Sequence, residues 1–169
     1  IIFKAIITLD KNYMFSIKQE IENKSGKTLY LRPYARITKT IDEKATPQAV
    51  VHSGLIGVFD KKLEEVKYKK IYKKDFIYDG KAQWSGFTDS YWLTTVIFNK
   101  ETNLKNKVYR DDKVFKNEIY GETLTLENNK TEAISYKLFA GAKVLKLLDS
   151  YRKDLQIPMF DRAVDFGWF

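Results

Sequence analysis

The sequence has no cysteine and only one histidine, His52, among its 169 residues. Without cysteine there are no disulfides and no thiolate metal sites, and one histidine supplies neither a cluster of metal ligands nor a complete nucleophilic triad. The phosphate-binding motifs G-x-x-x-x-G-K-S/T and G-x-G-x-x-G are also missing. We therefore predict no cofactor, no metal site and no catalytic residue, and we interpret His52 as a surface residue.

A long apolar run is missing as well, because no stretch approaches the roughly 20 apolar residues of a transmembrane helix. The hydrophobic content of 44% and the aromatic content of 15% instead indicate one folded domain with its own core. The sequence starts at Ile1, inside a predicted strand, without an initiator methionine or the pattern of a signal peptide. We expect both ends to be cuts in a longer protein.

The charge is unbalanced, with a formal net charge of +8 and a pI near 9.4. Such a surface suits a nucleic acid, an anionic lipid or an acidic partner. Lysine outnumbers arginine, however, and the one compact basic cluster, Lys61–Lys74, is diluted by glutamate. Because nucleic-acid readers use arginine and clustered basic stripes, we interpret most of these lysines as a solvated face and expect no nucleic-acid partner.

Alternation of apolar and polar residues predicts a protein made mainly of β-strands. Residues Tyr13–Glu22 alternate with a period of two and follow a first strand, Ile1–Leu9, through a polar turn. Further hairpins are predicted at Asp79-Gly80 and between Asn106–Arg110 and Val114–Tyr120. Since no helical crossovers separate the strands, the pattern favours an antiparallel β-sandwich.

A third predicted strand, Thr28–Lys39, carries an unusual outward face. Its alternation places four tyrosines and arginines outside: Tyr30, Arg32, Tyr34 and Arg36. Tyrosine and arginine are enriched at interface hot spots, so this ladder is a candidate face for docking a partner protein. Ordinary packing across strands is the alternative explanation. Pro33 within the strand indicates an edge position or a bulge.

Four large aromatic residues lie close together in the middle of the chain: Trp84, Phe87, Tyr91 and Trp92. Aromatic residues at this density usually fill the interior of a sandwich, and we expect most of the four to be core. The alternative is that some of them line a groove that accepts an apolar segment.

The end of the chain changes to a helical period. Apolar residues recur at steps of three and four from Gly141 to Leu155, at Val144, Leu147, Leu148, Tyr151 and Leu155. Pro158 then ends or restarts the helix, so we predict one or two C-terminal helices packed on the sheet. The last residues include Phe166, Trp168 and Phe169, which are either core or a connector at a membrane interface, where tryptophan collects.

Two segments carry a family resemblance. Residues Ala82–Phe98 contain W-x-G-x-x-D-x-Y-W, and Leu138–Phe169 include LQIPMFDRAVDFGWF, of which DFGWF is the most specific part. Both segments resemble the C-terminal portion of the large periplasmic domain of YidC-type membrane protein insertases, in the Oxa/YidC superfamily. Elsewhere the resemblance depends on the order and composition of the segments.

The resemblance implies a β-supersandwich similar to galactose mutarotase, with residues 1–139 forming part of the sandwich. Residues 140–169 would form a helical segment that leads to the first conserved transmembrane helix of the parent. An N-terminal portion of the supersandwich is expected to be absent, which would leave Ile1–Leu9 near an exposed edge.

The function implied by the resemblance is that of a non-catalytic domain on the periplasmic side of the bacterial inner membrane. The parent would insert and fold inner-membrane proteins, alone or with the Sec translocon, so that translocon subunits and nascent membrane proteins are its partners. The alternative from another class is a freestanding β-sandwich that binds a glycan, a lipid surface or a nucleic acid.

Overall fold

A computed structural model describes residues 1–41 and 51–164, and within them the chain forms eleven strands, two α-helices and one 3₁₀ helix. The strands are β1 (Ile2–Leu9), β2 (Met14–Glu22), β3 (Leu29–Leu31), β4 (Tyr34–Thr40), β5 (Gly54–Phe59), β6 (Lys62–Lys67), β7 (Phe76–Thr88), β8 (Trp92–Asp111), β9 (Val114–Gly121), β10 (Leu124–Leu126) and β11 (Thr131–Ala142). The helices are α1 (Tyr68–Ile71), α2 (Leu145–Asp154) and the 3₁₀ helix Phe160–Ala163. None of these helices has the length and hydropathy of a membrane span.

Nine strands join one antiparallel sheet in the order β1-β2-β11-β8-β7-β5-β6, while β9 also pairs with β8 and β4 pairs with β9. The sheet forms two layers because β8 is 20 residues long and changes partners along its length. Its first half pairs with β11, and its second half, from Leu104, pairs with β9. Strand β7 pairs with both halves, with a register shift between Ala82 and Trp84. The predicted antiparallel β-sandwich is confirmed.

One hydrophobic core lies between the two layers. The first layer is formed by β1, β2, β11, the first half of β8, the end of β7 from Trp84, β5 and β6, and it contributes Leu55 and Val96 to this core. The second layer is formed by β4, β9, the second half of β8 and the start of β7 up to Ala82, and it contributes Ile37, Phe115 and Ile119. A second core covers the opposite face of the first layer, where the C-terminal helices pack.

A buried polar network joins the two layers inside the first core. The Ser85 hydroxyl donates to Asn106 Oδ1 over 2.5 Å, the Asn106 amide donates to Asn117 Oδ1 over 2.6 Å, and the Asn117 amide donates to the Ser85 oxygen over 3.0 Å. All three side chains are fully buried. Because a slip of one residue in any of these strands would leave buried polar groups unpaired, the network fixes their register.

The C-terminal helices form a third layer on the sandwich, as predicted. Leu148 and Tyr151 of α2 are buried, and the Trp84 indole donates to the Pro158 carbonyl over 2.8 Å. The ring of Phe160 is fully buried between Trp84 and Phe139, in edge contacts with centroid distances of 5.4 and 5.6 Å. These aromatic contacts hold the helical segment against the sheet.

The helix differs from its prediction at both ends. It begins at Leu145 rather than near Gly141, because β11 continues to Ala142, past the predicted end of the sandwich at residue 139. Val144 is the extended residue before the helix and is 49% exposed, and Leu155 follows its last residue and is 40% exposed. The prediction that these two residues face the core is wrong.

Two strand predictions are also wrong. The predicted strand Thr28–Lys39 is split into β3 and β4, because Pro33 lacks a backbone donor and its carbonyl instead accepts a hydrogen bond from Gly121 N over 2.9 Å. Asp79-Gly80 is not a hairpin turn, since β7 runs through both residues. At Gly80 φ is +150°, and a Cβ there would lie 3.2 Å from the Asp60 carboxylate, so the glycine allows this close approach.

Strand β1 ends the sheet, and all of its residues are exposed. It pairs with β2 along its length, from Ile2 opposite Glu22 to Leu9 opposite Phe15. The expectation that this segment lies at an exposed edge is confirmed.

We expect Phe160→Ala to lower the free energy of unfolding by about 3 kcal/mol, because it removes a fully buried ring from the contact between the helical segment and the sheet. Leu155→Ala is the matched control and should cost less than about 1 kcal/mol, since Leu155 is 40% exposed. Urea denaturation followed by circular dichroism measures both. Equal losses in the two variants would contradict this account of the helical layer.

Candidate docking face

The outer surface of the second layer carries interleaved tyrosine and basic side chains. Alternation along β4, β9 and β8 places Tyr34 opposite Tyr120, Arg36 opposite Glu118, and Lys107 on the other side of Glu118. We call this surface the aromatic-basic face, and its members are Arg32, Tyr34, Arg36, Lys105, Lys107, Tyr109, Lys116, Glu118 and Tyr120.

Glu118 lies at the centre of the aromatic-basic face and is 8% exposed. Its carboxylate accepts hydrogen bonds from three tyrosine hydroxyls: Tyr34 at 3.2 Å, Tyr109 at 2.9 Å and Tyr120 at 2.7 Å. Each tyrosine comes from a different strand, so the carboxylate holds β4, β8 and β9 together from outside the core. Charge-assisted hydrogen bonds of this kind also fix the three ring positions.

These hydrogen bonds shift the pKa values of Glu118 and of the tyrosines that bind it. The hydroxyl of Tyr120, followed by the other two tyrosines, lowers the pKa of Glu118 against the opposing effect of burial. In return, the hydrogen bond to Glu118, then partial burial, raises the pKa of Tyr120 to about 12. Glu118 is therefore ionised at neutral pH, with its carboxylate hydrogen-bonded to three hydroxyls.

Cationic groups surround the tyrosine rings. The Arg32 guanidinium lies 5.2 Å from the Tyr120 ring centroid and donates through Nε to the Gly121 carbonyl over 2.8 Å. The ammonium groups of Lys107 and Lys116 lie 4.7 and 5.7 Å from the Tyr109 ring. Lys107 and Lys116 are also ion-paired, with Asp75 at 3.7 Å and with Asp111 at 2.9 Å. Five cations against these two carboxylates and Glu118 still leave the face electropositive, and the rings give it a rigid apolar component.

The predicted ladder Tyr30, Arg32, Tyr34 and Arg36 is exposed at all four positions, but the four do not lie on one strand. Tyr30 is on β3, opposite Thr125 of β10 in a separate pair of strands. The sequence analysis did not identify the members of the aromatic-basic face that lie on β8 and β9. The alternation in Val114–Tyr120 indicates that Lys116, Glu118 and Tyr120 share one face of that strand. It does not indicate which strands pair with it.

The four clustered aromatic residues separate into two pairs. Trp84 and Phe87 are buried in the cores, whereas Tyr91 is 76% exposed and Trp92 is 57% exposed. The prediction that most of the four are core holds for only two of them, Trp84 and Phe87. Asp89 makes the difference, because its Oδ1 accepts from the backbone N–H groups of Tyr91 and Trp92 and forms a tight turn there.

A groove of about 570 Å³ lies between the layers near the bend of β8, and none of the four aromatic residues lines it. Its apolar wall includes Val96, Phe98, Ile134 and Tyr136. A neighbouring groove of about 390 Å³ continues towards Phe3 of β1.

The other predicted residues are placed as follows. His52 is buried, with Nε2 2.8 Å from the Leu55 carbonyl, so its interpretation as a surface residue is wrong. Phe166, Trp168 and Phe169 lie outside the described residues. Across residues 1–41 and 51–164, no three histidine, aspartate or glutamate side chains are grouped so that they would hold a metal ion.

Comparison with known proteins identifies relatives of the whole chain. The sequence model of the family described as YidC periplasmic domain matches residues 1–169. The chain is 37% identical over 175 residues to the membrane protein insertase YidC of Rickettsia akari and 37% identical over 180 residues to that of Granulibacter bethesdensis. Each alignment covers 99% of this chain and 31% of the relative, so the chain spans about a third of these proteins.

A solved structure shares the fold. It is the galactose mutarotase related enzyme from Lactobacillus acidophilus, with a TM-score of 0.51 and 11% sequence identity, covering 82% of this chain and 60% of that one. At this identity the likeness concerns the fold alone. It agrees with the predicted mutarotase-like β-sandwich.

We expect Glu118→Gln to lower the pKa of Tyr120 towards its ordinary value of 10, because the variant removes the charged acceptor. In the native protein the raised pKa makes a stabilising contribution that is complete below pH 10 and is lost as the pH rises through about 12. A difference titration of tyrosinate absorbance, native protein minus Tyr120→Phe, isolates this hydroxyl. Glu65→Gln, at an exposed position of β6, is the control and should leave the curve unchanged.

Proposed function

Because this chain belongs to the family of YidC periplasmic domains, we propose that it is a non-catalytic part of an insertase that inserts and folds bacterial inner-membrane proteins. The match across residues 1–169 carries this proposal, together with relatives that are named membrane protein insertases. The chain spans 31% of those relatives, so we assign the insertion step itself to the rest of the parent. The chain would lie on the periplasmic side of the membrane.

A non-catalytic role is supported by the position of the one histidine. A sugar epimerase of this fold would need a histidine in an accessible site beside a carboxylate, whereas His52 is buried against the Leu55 carbonyl. The likeness to a mutarotase-related enzyme therefore supplies architecture and no chemistry.

We assign the aromatic-basic face to docking of a partner protein, with an acidic periplasmic segment of a Sec translocon subunit as the expected partner. Two features support this assignment. The face is electropositive, which selects an acidic segment, and its rings are held in place by Glu118, so little conformational entropy is lost on binding. Tyrosine and arginine are also the residues that most often dominate such interfaces.

The tail with Phe166, Trp168 and Phe169 would connect the sandwich to the membrane. We expect the gene to encode roughly 20 consecutive apolar residues beyond Phe169, as a transmembrane helix requires. Reading the gene past this point tests the expectation directly. A polar or terminated sequence there would contradict the insertase assignment and favour a freestanding binding module.

Photo-crosslinking in the intact parent insertase tests the docking face. A benzoylphenylalanine at position 34, where Tyr34 is 49% exposed, should crosslink to a translocon subunit. The same probe in place of Leu155, which is 40% exposed in the helical layer, is the matched control and should not. The double variant Arg32→Glu/Arg36→Glu should reduce the crosslink about tenfold, because it reverses two charges at the interface.

A second charge reversal controls for net charge. Lys62→Glu/Lys67→Glu, at two exposed positions of the edge strand β6, changes the net charge of the protein by the same amount. It should leave the crosslink unchanged. Equal loss in both double variants would refute a localised docking face. Insertion of a reporter membrane protein, measured in the same cells, tests the insertase role separately, so the docking proposal can fail while that role stands.

A further inference from the structure

Three segments from distant parts of the chain meet at one end of the first layer. They are the turn between β1 and β2, the turn between β7 and β8, and the connection from β11 to α2. The backbone N–H of Lys143 donates to the Tyr91 carbonyl over 2.8 Å, and the Ala140 N–H donates to the Tyr13 carbonyl over 3.2 Å. The ring of Tyr13 also packs on Gly141, where an added Cβ would lie 2.2 Å from it.

This end of the sandwich exposes large apolar and aromatic side chains that neither core uses. We call it the aromatic tip, and its members are Tyr13, Tyr91, Trp92, Val144 and Leu145, with exposed fractions between 39% and 76%. The most exposed members, Tyr91 and Trp92, stand on the turn that Asp89 holds closed through two backbone N–H groups. The rings are therefore held outward by a rigid turn.

The charge around the aromatic tip is positive. Lys11 in the β1–β2 turn and Lys146 in the first turn of α2 are both exposed. The acidic groups nearby are already paired. Asp89 Oδ2 lies 2.9 Å from Lys39 Nζ, and Asp10 accepts from the Tyr151 hydroxyl and from two backbone N–H groups.

Asp149, farther along α2, is paired with Arg152 at 2.7 Å and with Lys153 at 2.8 Å. The tip therefore combines exposed tyrosine and tryptophan, two aliphatic side chains and two exposed lysines, and the carboxylates near it are engaged in ion pairs or hydrogen bonds.

We propose that the aromatic tip inserts into the headgroup region of a bilayer that contains anionic phospholipid. Tyrosine and tryptophan favour this region because one end of each ring is apolar and the other is polar. Lysines beside them bury their methylene stems and reach the phosphates, and each adds electrostatic attraction to an anionic surface. The net charge of +8 acts in the same direction.

This partner fits the tip better than a protein or a nucleic acid. The aromatic-basic face contains arginines, whereas the tip presents lysines with aliphatic and aromatic side chains, which is the composition of interfacial membrane anchors. The choice of lipid rests on the proposed location beside a membrane. Binding of the tip to vesicles, however, needs neither the insertion reaction nor the docking face.

Vesicle binding by the purified 169-residue chain tests the inference. We expect sedimentation with vesicles of phosphatidylglycerol and phosphatidylethanolamine, and at least fivefold weaker binding to pure phosphatidylcholine, because the anionic attraction is lost. Tyr91→Ser/Trp92→Ser should weaken binding to the anionic vesicles about tenfold. Phe3→Ser/Ile77→Ser changes two equally exposed apolar residues on β1 and β7 and should have no effect.

Tryptophan fluorescence locates the contact. The chain has three tryptophans, Trp84, Trp92 and Trp168, and Trp84 is fully buried. In a Trp168→Phe background, Trp92 therefore reports the surface, and its emission should shift to the blue and be quenched by brominated lipid. The same background also removes the tail tryptophan from the binding measurement.

The inference is overturned if the native chain does not bind anionic vesicles. It is equally overturned if Tyr91→Ser/Trp92→Ser binds as tightly as the native chain, because the contact then lies elsewhere. Both side chains are exposed, so their replacement should not unfold the protein, and unchanged thermal melting confirms this before binding is compared. Normal reporter insertion by a parent that carries the double variant would leave the proposed function intact.

Discussion

Strand β8 belongs to both layers of the sandwich, and the rest of the structure depends on this. Its first half pairs with β11 and its second half with β9, while β7 pairs with both halves. The two layers are thus one continuous hydrogen-bonded sheet, and their relative position is set by the bend in this hairpin. The buried Ser85, Asn106 and Asn117 network then fixes the register where the layers face each other.

The same hairpin positions both proposed binding surfaces. Its far half supplies Lys107 and Tyr109 to the aromatic-basic face, and its turn supplies Tyr91 and Trp92 to the aromatic tip. The helical segment is tied to the hairpin as well, because the indole of Trp84 on β7 donates to the Pro158 carbonyl.

Local patterns in the sequence were sufficient for several of the strands, the sandwich class and the existence of the C-terminal helix. Period-two alternation identified β2 and β9, and a period near 3.6 identified α2, because both depend on which face of an element is buried. The alternation also placed Arg32, Tyr34 and Arg36 outside. It gave no information about Glu118 as their neighbour, since Arg36 and Glu118, which the pairing of β4 with β9 places opposite each other, are 82 positions apart in the sequence.

The errors have the same physical origin. Asp79-Gly80 has the composition of a turn, but here the glycine accommodates Asp60, a contact that no local pattern reveals. Tyr91 and Trp92 resemble core residues by composition, yet the carboxylate of Asp89 holds them on a turn outside the sheet. In both cases the deciding contact involves an aspartate side chain. Turn composition alone misassigns Asp79-Gly80, and hydrophobicity alone misassigns Tyr91 and Trp92.

The errors at Tyr91 and Trp92 also bear on function. A sequence free to bury two large rings and instead exposing them on a rigid turn gives up apolar burial, which is the main source of folding free energy. Exposed apolar side chains with polar residues beside them are typical of an interaction site. The aromatic-basic face gains its rigidity in a different way, through hydrogen bonds to Glu118. Since the two surfaces differ in chemistry and lie on different layers, the proposed protein partner and the proposed lipid surface would contact different residues.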